Sequence, residues 1–191
     1  MRQIILASQS PRRKKLLEQI GLKIKVVPSN IDEKLNPRLS PKGQAETLSL
    51  EKAEMVAEKY PDAVIIAADT IVDSNGDILG KPKSIDEAKR MIKKLQGKTH
   101  TVITGFTITN TATKKTITDS VETKVSFRKL NESEIKNYVK KENPMDKAGA
   151  YGIQGVGVTL LEKINGDFSN VVGLPLSKVI PALKKFGIDV L

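Results

Sequence analysis

Asp69 stands inside AVIIAADTIV, residues 63–72, an otherwise apolar run. By strand alternation it shares a face with Ile65, Ala67 and Ile71. An ionised carboxylate buried there is costly unless a cation or a metal pairs with it. Its chemistry would be proton acceptance or metal binding, and the plain alternative is a carboxylate capping a nearby helix or turn. Lys52 poses the same question with the opposite sign. At helical spacing it falls among Ala45, Leu48 and Val56, while Glu51, Glu54 and Glu58 take the other side. It either snorkels to water or directs its ammonium toward a phosphate. In the second case Lys52→Met is expected to leave stability unchanged or raised. A third oddity is ILASQSPRRKKLLEQIG, residues 5–21, where Arg12 and Arg13 sit just inside a helix start. Helix N-termini carry partial positive charge, so two cations there destabilise the helix unless an anion joins them. The corner from Ser8 to Arg13 offers N–H groups, hydroxyls and guanidiniums together, which suits phosphate; a solvated basic turn is the alternative.

Further along, Lys81 lies in LGKP, and Asp146-Lys147 precedes AGAYGIQG, whose small residues allow a ligand close to the backbone. Ser8, Arg12, Arg13, Lys52, Lys81 and Lys147 thus form a set suited to anions, with Asp69, Asp32 and Glu33 for a metal or a proton. Many cations beside few carboxylates describe phosphate chemistry better than sugar chemistry, in which paired carboxylates dominate. Other chemistries are excluded by composition. There is no cysteine, so disulfides, thiolate metal sites and a thiol nucleophile are absent, and the single histidine, His100, rules out a histidine-cluster zinc site. The net charge of +10 comes from scattered lysines mixed with acids, and aromatics make up only 4%. Stacking platforms are therefore scarce, no recognition motif for nucleic acid appears, and the charge reads as a bias toward anionic ligands. Neither a signal peptide nor a membrane span is visible, so the cytoplasm is the expected home.

These residues need elements to hold them. Residues 4–7 and 24–28 read as strands flanking a helix that starts at Ser10-Pro11 and stops at Gly21. A helix over 41–59 precedes the buried strand 63–72, and DSNGD turns into a short strand, ILG. Ser84 with Glu87 forms a capping box for a helix through Leu95, ended by Gly97, with Ala88, Met91, Ile92 and Leu95 on one face. Residues 100–109 and 116–128 are long strands around NTATKK, the second with Ile117, Val121, Val125 and Phe127 on one side. Asn131 and Glu134 repeat the capping box for a helix carrying Ile135, Tyr138 and Val139. The glycine-rich stretch 149–157 leads to a strand at 158–164. A last helix follows Gly173-Leu174-Pro175 and is kinked or restarted at Pro181. The sum is a mixed α/β fold with long antiparallel strands.

LASQSPRR, SNIDEK, AADTIV, LGKP, DKAGAYGIQG and NVVGLPL, in that order, resemble the signatures of the Maf family of nucleoside triphosphate pyrophosphatases. The resemblance covers essentially the whole chain; Pro181 departs from it, away from the motif residues. It implies one domain over residues 1–191, similar to inosine triphosphate pyrophosphatases, with two lobes around a central cleft for the nucleotide. It also implies hydrolysis between the α and β phosphates, giving a nucleoside monophosphate and pyrophosphate, with Mg2+ or Mn2+ required. The family's catalytic acid falls on Asp69 as proton acceptor, and Glu33 joins it as a candidate metal ligand. Ser8, Arg13, Lys52, Lys81 and Lys147 remain for the phosphates. One subgroup looks specific for dTTP and UTP, another for N7-methylguanosine triphosphate. Arg12, Thr70 and Gln154 match the pyrimidine subgroup. A homodimer is implied as well. The rival readings are the methylated-guanosine subgroup, a non-hydrolytic nucleotide sensor acting on septation, and a nucleic-acid module driven by charge.

Overall fold

The computed structural model of the chain describes residues 2–190, over which strands and helices follow one another in a mixed order. In order they are β1 (Gln3–Leu6), α1 (Pro11–Gln19), β2 (Ile24–Val26), α2 (Pro41–Ala57), β3 (Ala63–Ser74), β4 (Asp77–Leu79) and α3 (Ile85–Leu95). Then come β5 (Thr99–Asn110), β6 (Thr116–Phe127), α4 (Glu132–Glu142), 3-10 turns at Ala148–Ala150 and Gly155–Leu160, β7 (Leu161–Asn165), α5 (Phe168–Val172) and α6 (Leu176–Lys184). Among the described residues seven strands form one sheet in the order β2-β1-β3-β5-β6-β7, with β4 also on β3. β1 is parallel to β2 and to β3, whereas β4 is antiparallel to β3 and β7 to β6. β5 and β6 are joined only by Thr111–Lys115, too short for a parallel crossover, so they too run antiparallel. The sheet is mixed, as the strand pattern predicts.

Local chemistry explains most boundaries. Ser10 Oγ accepts from the Arg13 N–H, and Ser40 and Ser84 cap α2 and α3 in the same way. Asn131 and Glu134 form the complete reciprocal capping box of α4. The box expected at Ser84 forms by half: the Glu87 carboxylate takes the N–H of Lys83 instead of that of Ser84. Gly21 and Gly97, both at positive φ, follow α1 and α3. Two expectations are corrected, at β7 and α6, and one element, α5, is new. β7 spans Leu161–Asn165, not 158–164, because residues 158–160 belong to the 3-10 turn before it. α5 is a helix without a sequence forecast; it is too short to show periodicity, and Asp167 caps it by accepting from the Asn170 N–H and the Ser169 hydroxyl. α6 runs through Pro181 from Leu176 to Lys184 and neither ends nor restarts there.

The chain divides into two compact units. The first takes the chain up to Asp69, Thr104–Val121 and the chain from Gly173 on; the second takes Thr70–Ile103 and Glu122–Val172. In the first, Gly105 of β5 lies so close to the Ala45 backbone of α2 that no side chain fits there. Ser49 and Ser120 hydroxyls fix α2 further, through Thr107 and Glu46 respectively. The core of the second includes Ile92, Leu95, Val125, Phe127, Tyr138 and Leu160, all buried.

Candidate active site

The β3 face carrying Ala63, Ile65 and Ala67 packs with Ala53 and Val56 of α2 in one buried cluster that also holds Ile5 and Ala7. Asp69 is the next residue on that face, and Lys52 adjoins Ala53 on the helix. The two meet: Lys52 Nζ is 2.5 Å from Asp69 Oδ1 and 2.6 Å from Glu33 Oε1. The side chain of Lys52 is 6% exposed and that of Asp69 12%, so the lysine does not snorkel and the carboxylate is buried with its counter-charge. Each charge compensates the other, so the buried pair is far less costly than either charge would be alone. Asp32, by contrast, pairs with Lys34 at 2.8 Å on an exposed loop. Of the two adjacent acids, the structure brings Glu33 to Lys52.

The opening corner joins the same unit. Ser8 is buried, and its hydroxyl accepts from Arg13 Nη1 at 3.1 Å and from the Ser10 N–H at 3.2 Å. Arg13 Nε donates to the Gly173 carbonyl at 2.7 Å, a partner the sequence did not disclose. Burial lowers the Arg13 pKa, and the neighbouring Arg12 charge acts in the same direction; the carboxylates of Asp69 and Glu33 oppose them. The guanidinium thus lies within electrostatic reach of the Lys52 cluster. The cation cost at this helix start is offset within the protein by carboxylates and a carbonyl. Arg12 sits half-buried on the same first turn.

The remaining candidates belong to the second unit. Thr70 is half-buried and emerges on the opposite face of β3 from Asp69. Lys81 is exposed after Gly80, whose carbonyl accepts from the Gly149 N–H at 3.0 Å. Lys147 Nζ donates to Asp146 at 3.0 Å, with its side chain largely buried. Gln154 is exposed at the start of a 3-10 turn, and its amide is not spent on capping that turn. Between Lys147 and Gln154 the backbone is strained: Gly149 has φ 65° and Ala150, fully buried, φ 61°. The left-handed conformation at a non-glycine residue costs about 1–3 kcal/mol and persists only where the surroundings impose it. A side chain at Gly149 would also press on both Val72 methyls at 3.2 Å. Sequence reasoning missed one further pair, His100 and Tyr151; the sole signal was a lone histidine in a strand.

Asp69 and Glu33 aim oxygens at one ammonium, so they converge closely enough to share a cation. Two carboxylates suit Mg2+ or Mn2+, which take hard oxygen donors and fill their other positions with phosphate oxygens and water. Among the described residues no three His, Cys, Asp or Glu side chains converge as a self-sufficient metal site.

The family model described as "Maf-like protein" matches residues 3–186. A "dTTP/UTP pyrophosphatase" of Alkaliphilus oremlandii is 49% identical over 193 aligned residues, covering 100% of both chains. One of the same name from Bacillus velezensis is 47% identical over 187 residues, covering 98% of each. Among solved structures, a HAM1 protein from Coxiella burnetii superposes with a TM-score of 0.56 over 97% of this chain and 100% of its own, at 12% identity. That last likeness shows the fold. No helix among the described residues is long and apolar enough to cross a membrane.

Proposed function

The chain belongs to the Maf family, and we propose that it is a nucleoside triphosphate pyrophosphatase cleaving dTTP and UTP to the monophosphate and pyrophosphate. The observation that carries this reading is the Lys52 ammonium between Asp69 and Glu33, within electrostatic reach of the Arg13–Ser8 corner. Full-length relatives bearing that activity in their names support it. Phosphoryl-group chemistry asks little covalent work of a protein; positioning and charge do most of it. Asp69 is the proton acceptor for the attacking water, Arg13 and Lys52 supply positive charge to the phosphates, and Ser8 orients Arg13 by hydrogen bonding. Lys81 and Lys147 are further phosphate ligands in this reading. Asp69 and Glu33 would hold Mg2+ or Mn2+, which supplies charge neutralisation at the phosphates and acidifies bound water. A homodimer working in the cytoplasm completes the proposal.

Arg12, Thr70 and Gln154 are assigned to base selection. A glutamine amide offers a donor and an acceptor, matching the N3–H and O4 edge of uracil and thymine. Sites built on such bonds reject bases that leave them unpaired more strongly than shape alone does. Pyrophosphate release across a panel of triphosphates tests this. With saturating Mg2+, dTTP and UTP should be cleaved well ahead of ATP, GTP and N7-methylguanosine triphosphate. In Gln154→Glu the preference for dTTP over GTP should fall by about tenfold, the worth of one lost charge-free hydrogen bond. Equal cleavage of all five, or preference for the methylated guanosine, would overturn the pyrimidine assignment and leave the pyrophosphatase reading standing.

A further inference from the structure

His100, the only histidine, lies on β5 with 3% of its surface exposed. Its Nε2 is 2.6 Å from the Tyr151 hydroxyl. Its other ring nitrogen, Nδ1, is buried with no hydrogen-bond partner among the described residues. The imidazole stands edge-on to Phe127 at 5.1 Å and to Tyr151 at 5.3 Å, and those two rings stand edge-on to each other at 4.7 Å. Burial pushes the His100 pKa down to about 4 and the Tyr151 phenol well up, so at neutral pH both partners are uncharged. A buried imidazole with one unsatisfied nitrogen is a poor choice if the site only needs filling, because an apolar ring would avoid the desolvation. The bond to Tyr151 is what a phenylalanine could not supply.

Tyr151 follows the two left-handed residues, Gly149 and Ala150. The segment is pinned on other sides as well: the Gly149 N–H reaches the Gly80 carbonyl, and the Gly152 N–H reaches the Tyr138 hydroxyl at 3.2 Å. Lys147 lies before the strained turn and Gln154 after it. Whatever fixes Tyr151 therefore fixes the turn that both side chains flank.

We propose that His100 is a positioning residue for substrate selection, holding Tyr151 through its hydroxyl and so setting the 147–154 segment that carries Lys147 and Gln154. This rests on the reading of Gln154 as the base-selecting residue, yet its structural half can be tested without turnover. His100→Phe and His100→Gln are compared with wild type by amide hydrogen exchange and by steady-state kinetics on dTTP and GTP. In His100→Phe, amides of residues 148–157 should exchange at least about tenfold faster, the consequence of losing one buried hydrogen bond, while those of α1 and α2 keep their rates. The KM for dTTP should rise about tenfold with kcat within about threefold, since ground-state positioning is lost and the reacting groups are untouched. The preference for dTTP over GTP should narrow in parallel. His100→Gln, whose amide can still meet the phenol, should recover most of the protection and of the KM. Unchanged exchange in 148–157 in His100→Phe, or faster exchange spread evenly over the chain, would make His100 a core residue only and overturn the proposal. If the wild type releases no pyrophosphate at all, the catalytic reading fails by itself, and the exchange data still decide whether His100 holds the segment.

Discussion

Asp69→Asn is expected to lose hydrolysis of dTTP by about 10²–10⁴-fold, the usual worth of a positioned general base, while still binding the nucleotide. The amide is nearly the same size as the carboxylate but accepts no proton and offers a metal no charge. Its oxygen can still take a hydrogen bond from Lys52, and Glu33 remains at 2.6 Å as that lysine's counter-charge. The melting temperature should therefore stay near that of wild type, and dTTP binding measured by calorimetry should persist through Arg13 and the other cations. Activity within about tenfold of wild type would remove Asp69 from the chemistry.

Lys52→Met carries the second large effect, and here the structure reverses the stability expectation drawn from the sequence. A lysine in an apolar stripe looks replaceable by an apolar residue. The ammonium, however, is the cation between two acids, and its removal leaves Asp69 buried at 12% side-chain exposure without its nearest counter-charge. Breaking a buried ion pair in this way costs about 3–5 kcal/mol. The Asp69–Lys52 contact is buried but Glu33 is 36% exposed, so about 1–3 kcal/mol is the fitting scale here. Lys52→Met should melt lower than wild type and lose most hydrolysis. Combining it with Asp69→Asn should regain much of the stability, because no uncompensated buried charge is left, and none of the activity. A single variant that melts like wild type, or a double variant that melts lower than Lys52→Met alone, would show that the ion pair does not hold this part of the fold.

The two residues illustrate which features a sequence makes legible. Asp69 is anomalous against a period of two and Lys52 against a period of 3.6, so both stand out locally. Their meeting follows only once the Ala63–Ile65–Ala67 face is known to pack on α2. Capping chemistry is equally local, which is why the starts of α1, α3 and α4 are legible in the sequence. Partners remote in sequence were not. The Gly173 carbonyl that receives Arg13 is a backbone atom, and such an atom carries no residue-type signal in the sequence. The His100–Tyr151 bond joins a strand to a glycine-rich loop with no periodicity of its own. α5 escaped because its start signal, Asp167, precedes too few residues to form a stripe. Two adjacent loop acids carry no periodicity that separates them; Glu33 is the candidate metal ligand already at the level of sequence, and the structure brings Glu33 to Lys52 and leaves Asp32 with Lys34.

The central claim is that the chain breaks the bond between the α and β phosphates of a pyrimidine triphosphate. It is tested most directly by incubating the wild-type protein with dTTP and Mg2+ and identifying the products by phosphorus NMR. Equal amounts of dTMP and pyrophosphate, with no dTDP formed at any time, are the predicted result. Formation of dTDP with inorganic phosphate, or dTTP left intact under saturating metal, would contradict it.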